Sequence, residues 1–308
     1  MICYFSDASI KEEDELFIIK HTKHRLISYH YKSAVFKFID VCLRNDLAKD
    51  ISFLVDSGAY SIWNSGKPPL QVEVYEEFCH DVIKRCKNQF KTLEFINLDV
   101  IPGERNKPVT IDHIEYAQKK SWENYIYLNK SVPNMLPVFH QGDGFEYLKM
   151  IEDITLRYCI SPANDKSTPQ KLFWCNDVFS RINEEAKPHG LGFSSSEVAK
   201  CNDWYSFDAA THALRAAFGT VVYYNGKQMM DIVFSDKRGP SDTGSHFFCF
   251  TKAERDIIEQ SVESIGEGFT IDSLINDGKR RRLANIYYMA KFYNEFKPNK
   301  QIIQESLF

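Results

Sequence analysis

Several polar side chains sit where short apolar runs end. Asp56 closes the run Ile51–Val55, Asp99 lies near the end of Leu93–Val100, Gln141 follows Met135–Phe139, and Asp208 follows Trp204–Phe207. Ser161 and Ser194 end two further runs of the same kind. An apolar strand that stops on a polar side chain is how an α/β protein places chemistry at the rim of a sheet or barrel. One such aspartate is weak evidence. Asp56-Ser57-Gly58 is also a sequence for an Asx-turn, and Asp208 also suits a cap for a helix starting at Thr211. Three aspartates, with His140-Gln141-Gly142 between them, point to a shared polar pocket. Two carboxylates facing one reacting centre suit cleavage at a sugar anomeric carbon: one attacks or stabilises the cationic carbon, and the other moves protons on the leaving group. Tyr60, Trp63 and Phe139 lie near the same strand ends, where they either stack on a base or pack the core.

The elements that must position these residues alternate. Strands are expected at Ile2–Phe5, Leu26–Tyr31, Phe53–Val55, Leu93–Val100, Met135–Phe139, Arg157–Ile160, His189–Phe193 and Trp204–Phe207. Helices are expected at Ala34–Leu43, Val72–Cys86, Thr110–Leu128, Phe145–Ile154, Pro169–Ala186, Ser196–Cys201 and Thr211–Phe218. In Val72–Cys86 the apolar residues Val72, Tyr75, Phe78, Cys79, Val82 and Ile83 recur at near-helical spacing. Strands alternating with helices imply parallel pairing, and eight such units imply an α/β fold of the closed (β/α)8 TIM-barrel type over residues 1–218. Residues 219–308 read as a C-terminal hairpin and helical extension. The hairpin turns at Asn225-Gly226, and helices are expected at Thr251–Ile265 and Ile271–Phe296.

Composition narrows the function classes. Of the 308 residues, 44% are hydrophobic and 26% charged, which is ordinary for a globular protein. The net charge of −4 supplies no global basic field, so any nucleic-acid contact must rest on a local patch. The eight cysteines form no CxxC pair and lie in apolar surroundings, as reduced thiols of an intracellular protein would. The N-terminus lacks the basic and apolar regions of a signal peptide, and no run approaches the length of a membrane span. A cytoplasmic protein with no membrane partner is expected.

The segments VDSGAYS, NLDVIPG, LPVFHQGD, YCISPAN, KPHGLGFS and YSFDAAT resemble, in order, the motifs of the tRNA-guanine transglycosylase superfamily. They look most like its phage-type branch, the DNA-guanine transglycosylases that exchange guanine in DNA for a 7-deazaguanine. The resemblance covers about Leu26 to Phe218 and, loosely, the C-terminal helix. It implies that Asp208 is the nucleophile and Asp56 the general acid/base. Asp99 would hold the purine by its N1/N2 edge, and Gln141 would contact the purine carbonyl. Ser57, Gly58, Tyr60, Ser161 and Gly192 would complete the base pocket. The glycine-rich segment that frames the 7-substituent in the family appears here as Ile160-Ser161-Pro162-Ala163, a departure that bears on substituent preference. The zinc motif of the tRNA enzymes is missing, with only Cys249 near His246 in its place, so no metal and no cofactor are expected.

The implied partners are DNA and a free 7-deazaguanine base, in a host cytoplasm if the chain is phage-encoded, and relatives of this kind often pair as homodimers. A base inside a duplex cannot reach a barrel rim, so it must be flipped out or presented on a single strand. Beside such a barrel, the run Lys279, Arg280, Arg281 and Arg282 is expected to grip phosphate, extended by Lys227, Lys237 and Arg238; alone it would be a solvated helix end. The histidines His140, His189 and His212 lie near strand ends; His140, next to Gln141, is positioned to face the pocket, but each is expected to be a packed or surface residue and none is assigned a catalytic role. Alternatives are the same exchange on tRNA, a glycosidase-like hydrolase, and a catalytically silent nucleic-acid-binding barrel.

Overall fold

A computed structural model describes residues 1–6, 11–163, 165–192, 201–235 and 244–295. Two compact units appear. One is built from Met1–Glu12 and Lys23–Asp208, the other from Glu13–Thr22 and Ala209–Lys297.

The first unit holds a nine-membered sheet in the order β5-β4-β3-β2-β1-β9-β8-β7-β6. Its members are β1 (Ile2–Ser6), β2 (His24–Ser28), β3 (Ser52–Asp56), β4 (Thr92–Ile96), β5 (Met135–Leu136), β6 (Val138–His140), β7 (Cys159–Ser161), β8 (His189–Gly190) and β9 (Ser206–Ala209). The two ends of that order, β5 and β6, are halves of one strand interrupted at Pro137, which has no N–H to give a ladder. β5 pairs in parallel with β4, and β6 pairs in parallel with β7. The sheet therefore closes on itself as eight parallel strands, a (β/α)8 barrel.

The barrel interior follows from strand parity. Tyr4, Leu26, Leu54, Ile96, Leu136, Val138 and Cys159 form one buried apolar cluster. Side chains two positions further along their strands, including Ser28, Asp56, His140 and Ser161, lie on the same face nearer the C-terminal mouth. Helices Lys32–Arg44, Val72–Cys86, Ile111–Leu128, Phe145–Glu152 and Thr168–Phe179 follow the strands. Val72–Cys86 matches its sequence expectation residue for residue, and it buries Tyr75, Phe78, Cys79 and Val82. The Tyr75 hydroxyl donates to the Ile96 carbonyl at 2.8 Å, tying this helix to the end of β4. Beyond Ile96 the strand stops earlier than its apolar run does. Residues 97–100 are instead clamped by helix Ile111–Leu128. Asn97 Nδ2 donates to the Ser121 carbonyl, Asn124 Nδ2 to the Leu98 carbonyl, and the Val100 N–H to Ser121 Oγ, each at 2.8 Å. The fully buried Asn97 and the nearly buried Asn124 thus replace ladder bonds with side-chain bonds.

In the second unit, the hairpin β10 (Thr220–Tyr224) and β11 (Met229–Val233) pairs from Thr220 opposite Val233 to Tyr224 opposite Met229. Asn225 Oδ1 accepts from the N–H groups of Lys227 and Gln228, both at 2.9 Å, which closes the turn. The expected long C-terminal helix is two, Ile271–Asn276 and Gly278–Glu295, parted at Asp277, whose φ and ψ are extended. Asn285 is fully buried and joins three elements. Its Oδ1 accepts from Val222 N at 2.6 Å, and its Nδ2 donates to the His212 carbonyl at 2.9 Å and to the Thr220 carbonyl at 3.2 Å. Helix Thr211–Ala217 is thereby held to this unit, so the units divide after Asp208 rather than at the expected Phe218. Among the described residues no helix is long and apolar enough to cross a membrane. All eight cysteines are free thiols, and six of them are buried.

Asn285→Ala leaves buried polar groups at Val222, His212 and Thr220 without their partner. It is expected to lower the unfolding free energy of the second unit by about 2–4 kcal/mol, read from urea denaturation. A change within ±0.5 kcal/mol, as for about any neutral surface substitution, would show that this bridge holds nothing together.

Candidate active site

The mouth of the barrel lies within the first unit. At the end of β3, Asp56 stands opposite Ser28 of β2 in register. The Ser28 hydroxyl bonds the Asp56 carboxylate and accepts from the His30 N–H at 3.2 Å. The Gly58 N–H donates to Asp56 Oδ2 at 3.1 Å, so the Asx-turn weighed for this sequence is formed. It is formed inside the mouth, so the turn leaves Asp56 on the interior face beside the other strand ends. Gly58 has φ +73°, and a Cβ there would lie 2.7 Å from Ser28 Oγ, so a side chain would strain the backbone and push out the Asp56 partner.

The electrostatics of Asp56 show what surrounds it. Its pKa is pushed up to about 6, first by burial, with the charges of Asp99 and Asp208 adding; the bonds from Ser28 and Gly58 oppose the rise. The two other carboxylates singled out in the sequence are therefore close enough to be felt by the first.

Asp99 follows β4 on the clamped segment. Its Oδ2 lies 2.9 Å from Nε2 of His140, the last residue of β6, and both side chains are largely buried. Burial by itself lowers the His140 pKa, but its contact with Asp99 and the charge of Asp143 outweigh that and raise it. The Asp143 Oδ2 also accepts from the His140 N–H at 2.8 Å. Next to His140, Gln141 is fixed at both ends. Its backbone N–H donates to the Ser161 carbonyl at 3.0 Å, and its Oε1 accepts from the Ala163 N–H at 3.0 Å. With its oxygen so used, the Gln141 side chain has its NH₂ to offer a base. Ser161 pairs with His140 across β6 and β7, on the interior face.

Asp208, on β9, is 7% exposed. Its Oδ1 accepts from the Gly192 N–H at 2.7 Å and lies 3.7 Å from Nε2 of His189. Gly192 has φ +65° and open space where a Cβ would be. It contributes a backbone donor rather than a contact surface. His189 is fully buried, with its ring edge against Tyr4 at 5.6 Å between centroids. Burial lowers its pKa more than Asp208 raises it, so His189 is neutral. The histidines expected to be packing residues thus include two, His140 and His189, that contact site aspartates. A signal for them was present, since each sits on a strand, His140 beside Gln141 and His189 three residues before Gly192.

The remaining candidates separate. Tyr60 is 44% exposed, with its ring 5.8 Å from that of Trp63, and Trp63 Nε1 donates to the Gly103 carbonyl at 2.9 Å, joining the loops after β3 and β4. Phe139 does not face the mouth. Alternation along β6 turns it away from the Val138 face, and it is fully buried against Phe145, Tyr147 and Trp174. Ser57 is fully buried as well, and its Oγ accepts from the Ala59 N–H at 3.4 Å, a turn contact rather than a base contact.

The basic run is not an exposed stripe. Arg281 is buried and donates to the carbonyls of Ala216, Leu274 and Ile275. Lys279 pairs with Asp14 at 2.8 Å and Glu13 at 3.1 Å, Arg282 lies 3.6 Å from Asp14, and the Arg280 guanidinium sits over the Phe269 ring. Helix Glu12–His21 brings those acids. The expected phosphate grip is corrected at Arg281, which is buried on backbone carbonyls, while Lys279 and Arg282 pair with acids of the same unit. Ser194, Lys237 and Arg238 lie outside the described residues. Among the described residues no group of three His, Cys, Asp or Glu side chains is arranged to hold a metal ion.

No protein-family profile matches the chain, and no curated protein matches it. Among solved structures, a putative fructose-1,6-biphosphate aldolase from Coccidioides immitis matches 95% of this chain and 89% of its own, at 9% identity and a TM-score of 0.31. At that score and identity the likeness says nothing of reaction or residues.

The raised Asp56 pKa makes a stability prediction. A carboxyl whose folded pKa exceeds its ordinary 3.8 contributes stability below that value and loses it as the pH rises through about 6. Asp56→Asn is expected to escape the loss, so its stability relative to the wild type should climb between about pH 4 and 6 and then level off. Urea denaturation at a series of pH values measures this, and a difference flat in pH would assign the titration elsewhere.

Proposed function

We propose that this barrel is a transglycosylase that exchanges guanine in DNA for a free 7-deazaguanine base through a covalent aspartyl intermediate. The observation that carries the reading is the carboxyl of Asp56, held near neutrality with Asp99 and Asp208 beside it in one mouth. A carboxyl group tuned to about 6 both gives and takes a proton at physiological pH, which a two-step base exchange requires.

The residues divide the work as follows. An oxygen of Asp208 attacks C1′ of a flipped-out deoxyguanosine. The C1′–O bond forms as C1′–N9 breaks, and the bonding pair leaves on the purine, which takes a proton from Asp56. Guanine departs, and a 7-deazaguanine enters. Asp56 now removes its N9 proton, N9 bonds to C1′, and the C1′–O pair returns to Asp208. Capture as an ester lets one base replace another with the strand intact. Asp99, paired with His140, faces the purine N1/N2 edge as acceptor, and the Gln141 NH₂ meets the purine carbonyl. Tyr60, exposed after β3, stacks on the base at about 1–3 kcal/mol in this reading. The choice of DNA over tRNA rests on the sequence resemblance and on the missing CxCxxC motif. With Arg281 buried and its neighbours engaged, DNA contact is assigned to the mouth and its loops rather than to that helix.

Incubation of the protein with DNA and labelled 7-deazaguanine is expected to leave label in the polymer, whereas a hydrolase would release guanine and retain none. Asp208→Asn should abolish both label and covalent adduct, and an adduct formed by that variant would overturn the assignment of the nucleophile. Asp56→Asn should slow exchange by about 10²–10⁴-fold, the range for loss of a general acid/base, while the free base still binds. Asp99→Ala should erode discrimination between purines more than it slows the bond-breaking step, as competition between labelled bases would show.

A further inference from the structure

Below Asp208 the barrel interior is polar in one column. At its floor, Arg157 Nε and Nη2 donate to the two carboxylate oxygens of Glu94 at 2.8 and 2.9 Å. Arg157 Nη1 donates to the Lys187 carbonyl at 2.9 Å and to Ser206 Oγ at 3.0 Å. The Ser206 oxygen lies 2.9 Å from His189 Nδ1. His189 Nε2, which has no hydrogen-bond partner, faces Asp208 Oδ1 at 3.7 Å. Ser206 and His189 are fully buried register partners on β9 and β8.

Proton counting gives this column a direction. A guanidinium only donates, so the Ser206 oxygen accepts from Arg157 and keeps its own proton to give. His189 Nδ1, at 2.9 Å, is the acceptor within reach of that proton, and a ring nitrogen that accepts carries none. Neutral His189 then bears its single proton on Nε2, toward Asp208. The charged groups that act on this ring are Asp208, Arg157 and Glu94, and Tyr4 of β1 closes its edge. A buried N–H with no acceptor at bonding distance is costly unless it completes a bond in some state of the protein.

We propose that Glu94, Arg157 and Ser206 are positioning residues that hold His189 as its Nε2–H tautomer. Its N–H and that of Gly192 then converge on Asp208 Oδ1, leaving Oδ2 as the oxygen that bonds C1′. The role given to Oδ2 rests on the exchange reading; the tautomer does not. In the covalent intermediate Oδ1 becomes the ester carbonyl oxygen, and two N–H donors there stabilise the carboxylate that leaves in the second step.

Long-range proton–nitrogen NMR on the ring of His189 reads the tautomer directly in the wild-type chain. An Nε2–H tautomer is expected, and an Nδ1–H tautomer overturns the proposal without any variant being made. Ser206→Ala is expected to mix the two tautomers and to slow single-turnover adduct formation about tenfold with the KM for free base nearly unchanged, and Ser206→Thr, which keeps the hydroxyl, should restore both. A Ser206→Ala chain with an unaltered His189 spectrum and unaltered adduct rate also overturns it. If the wild type shows the Nε2–H tautomer yet forms no adduct with DNA, the column stands and the exchange reading falls.

Discussion

Barrel closure is the constraint on which the site depends. The strand that spans Met135 to His140 pairs on one side with β4 through its first half and on the other with β7 through its second. Pro137 marks the change of partner: it contributes no N–H, but its carbonyl accepts from the Cys159 N–H at 2.8 Å. Once the sheet is closed, the C-terminal ends of eight parallel strands share one small opening. Carboxylates separated by tens or hundreds of residues in the chain are then neighbours, and they repel. The fold supplies a partner to each. Ser28 and Gly58 serve Asp56, Gly192 serves Asp208, and the His140 ring lies against Asp99 as its ion-pair partner. Asp56 retains a pKa near 6 because burial and the two other charges outweigh its donors.

The same closure makes the barrel floor expensive. Arg157 and Glu94 meet in a partly buried ion pair whose desolvation is repaid only by good geometry and further bonds. Arg157 has both: two bonds to Glu94, one to the Lys187 carbonyl, one to Ser206, and a face against the Tyr205 ring. This floor also orients the residues above it. The ion pair at the N-terminal face and the carboxylates at the C-terminal face are thus joined by side chains that cross the apolar layer of Tyr4, Leu26, Leu54 and Ile96.

In the second unit, like charges adjacent in sequence take unlike roles in space. Successive helical residues point about 100° apart, so the four residues Lys279 to Arg282 cannot all share a face. Arg281 turns inward to carbonyls left open where Ile271–Asn276 ends. Lys279 and Arg282 meet acids from a helix more than 250 residues earlier in the chain, while Arg280 packs on an aromatic ring.

Local pattern by itself determined the alternation of strands and helices, the bounds of Val72–Cys86, the hairpin at Asn225-Gly226, and the placing of Asp56, Asp99, Gln141 and Asp208 at strand ends. These follow from periodicity and turn chemistry, which act over a few residues. Tertiary structure alone decided what each of those residues touches. Phe139 and His140 are neighbours in sequence, yet strand parity sends one into the helical shell and the other to Asp99. Glu94, Arg157, Ser206 and His189 carry no motif, because their contact spans four strands and exists only after closure. The helix Glu12–His21 and the fate of the basic run were likewise illegible: an acid–base pair across such a separation leaves no trace in local spacing, and only packing brings its partners within a few ångströms.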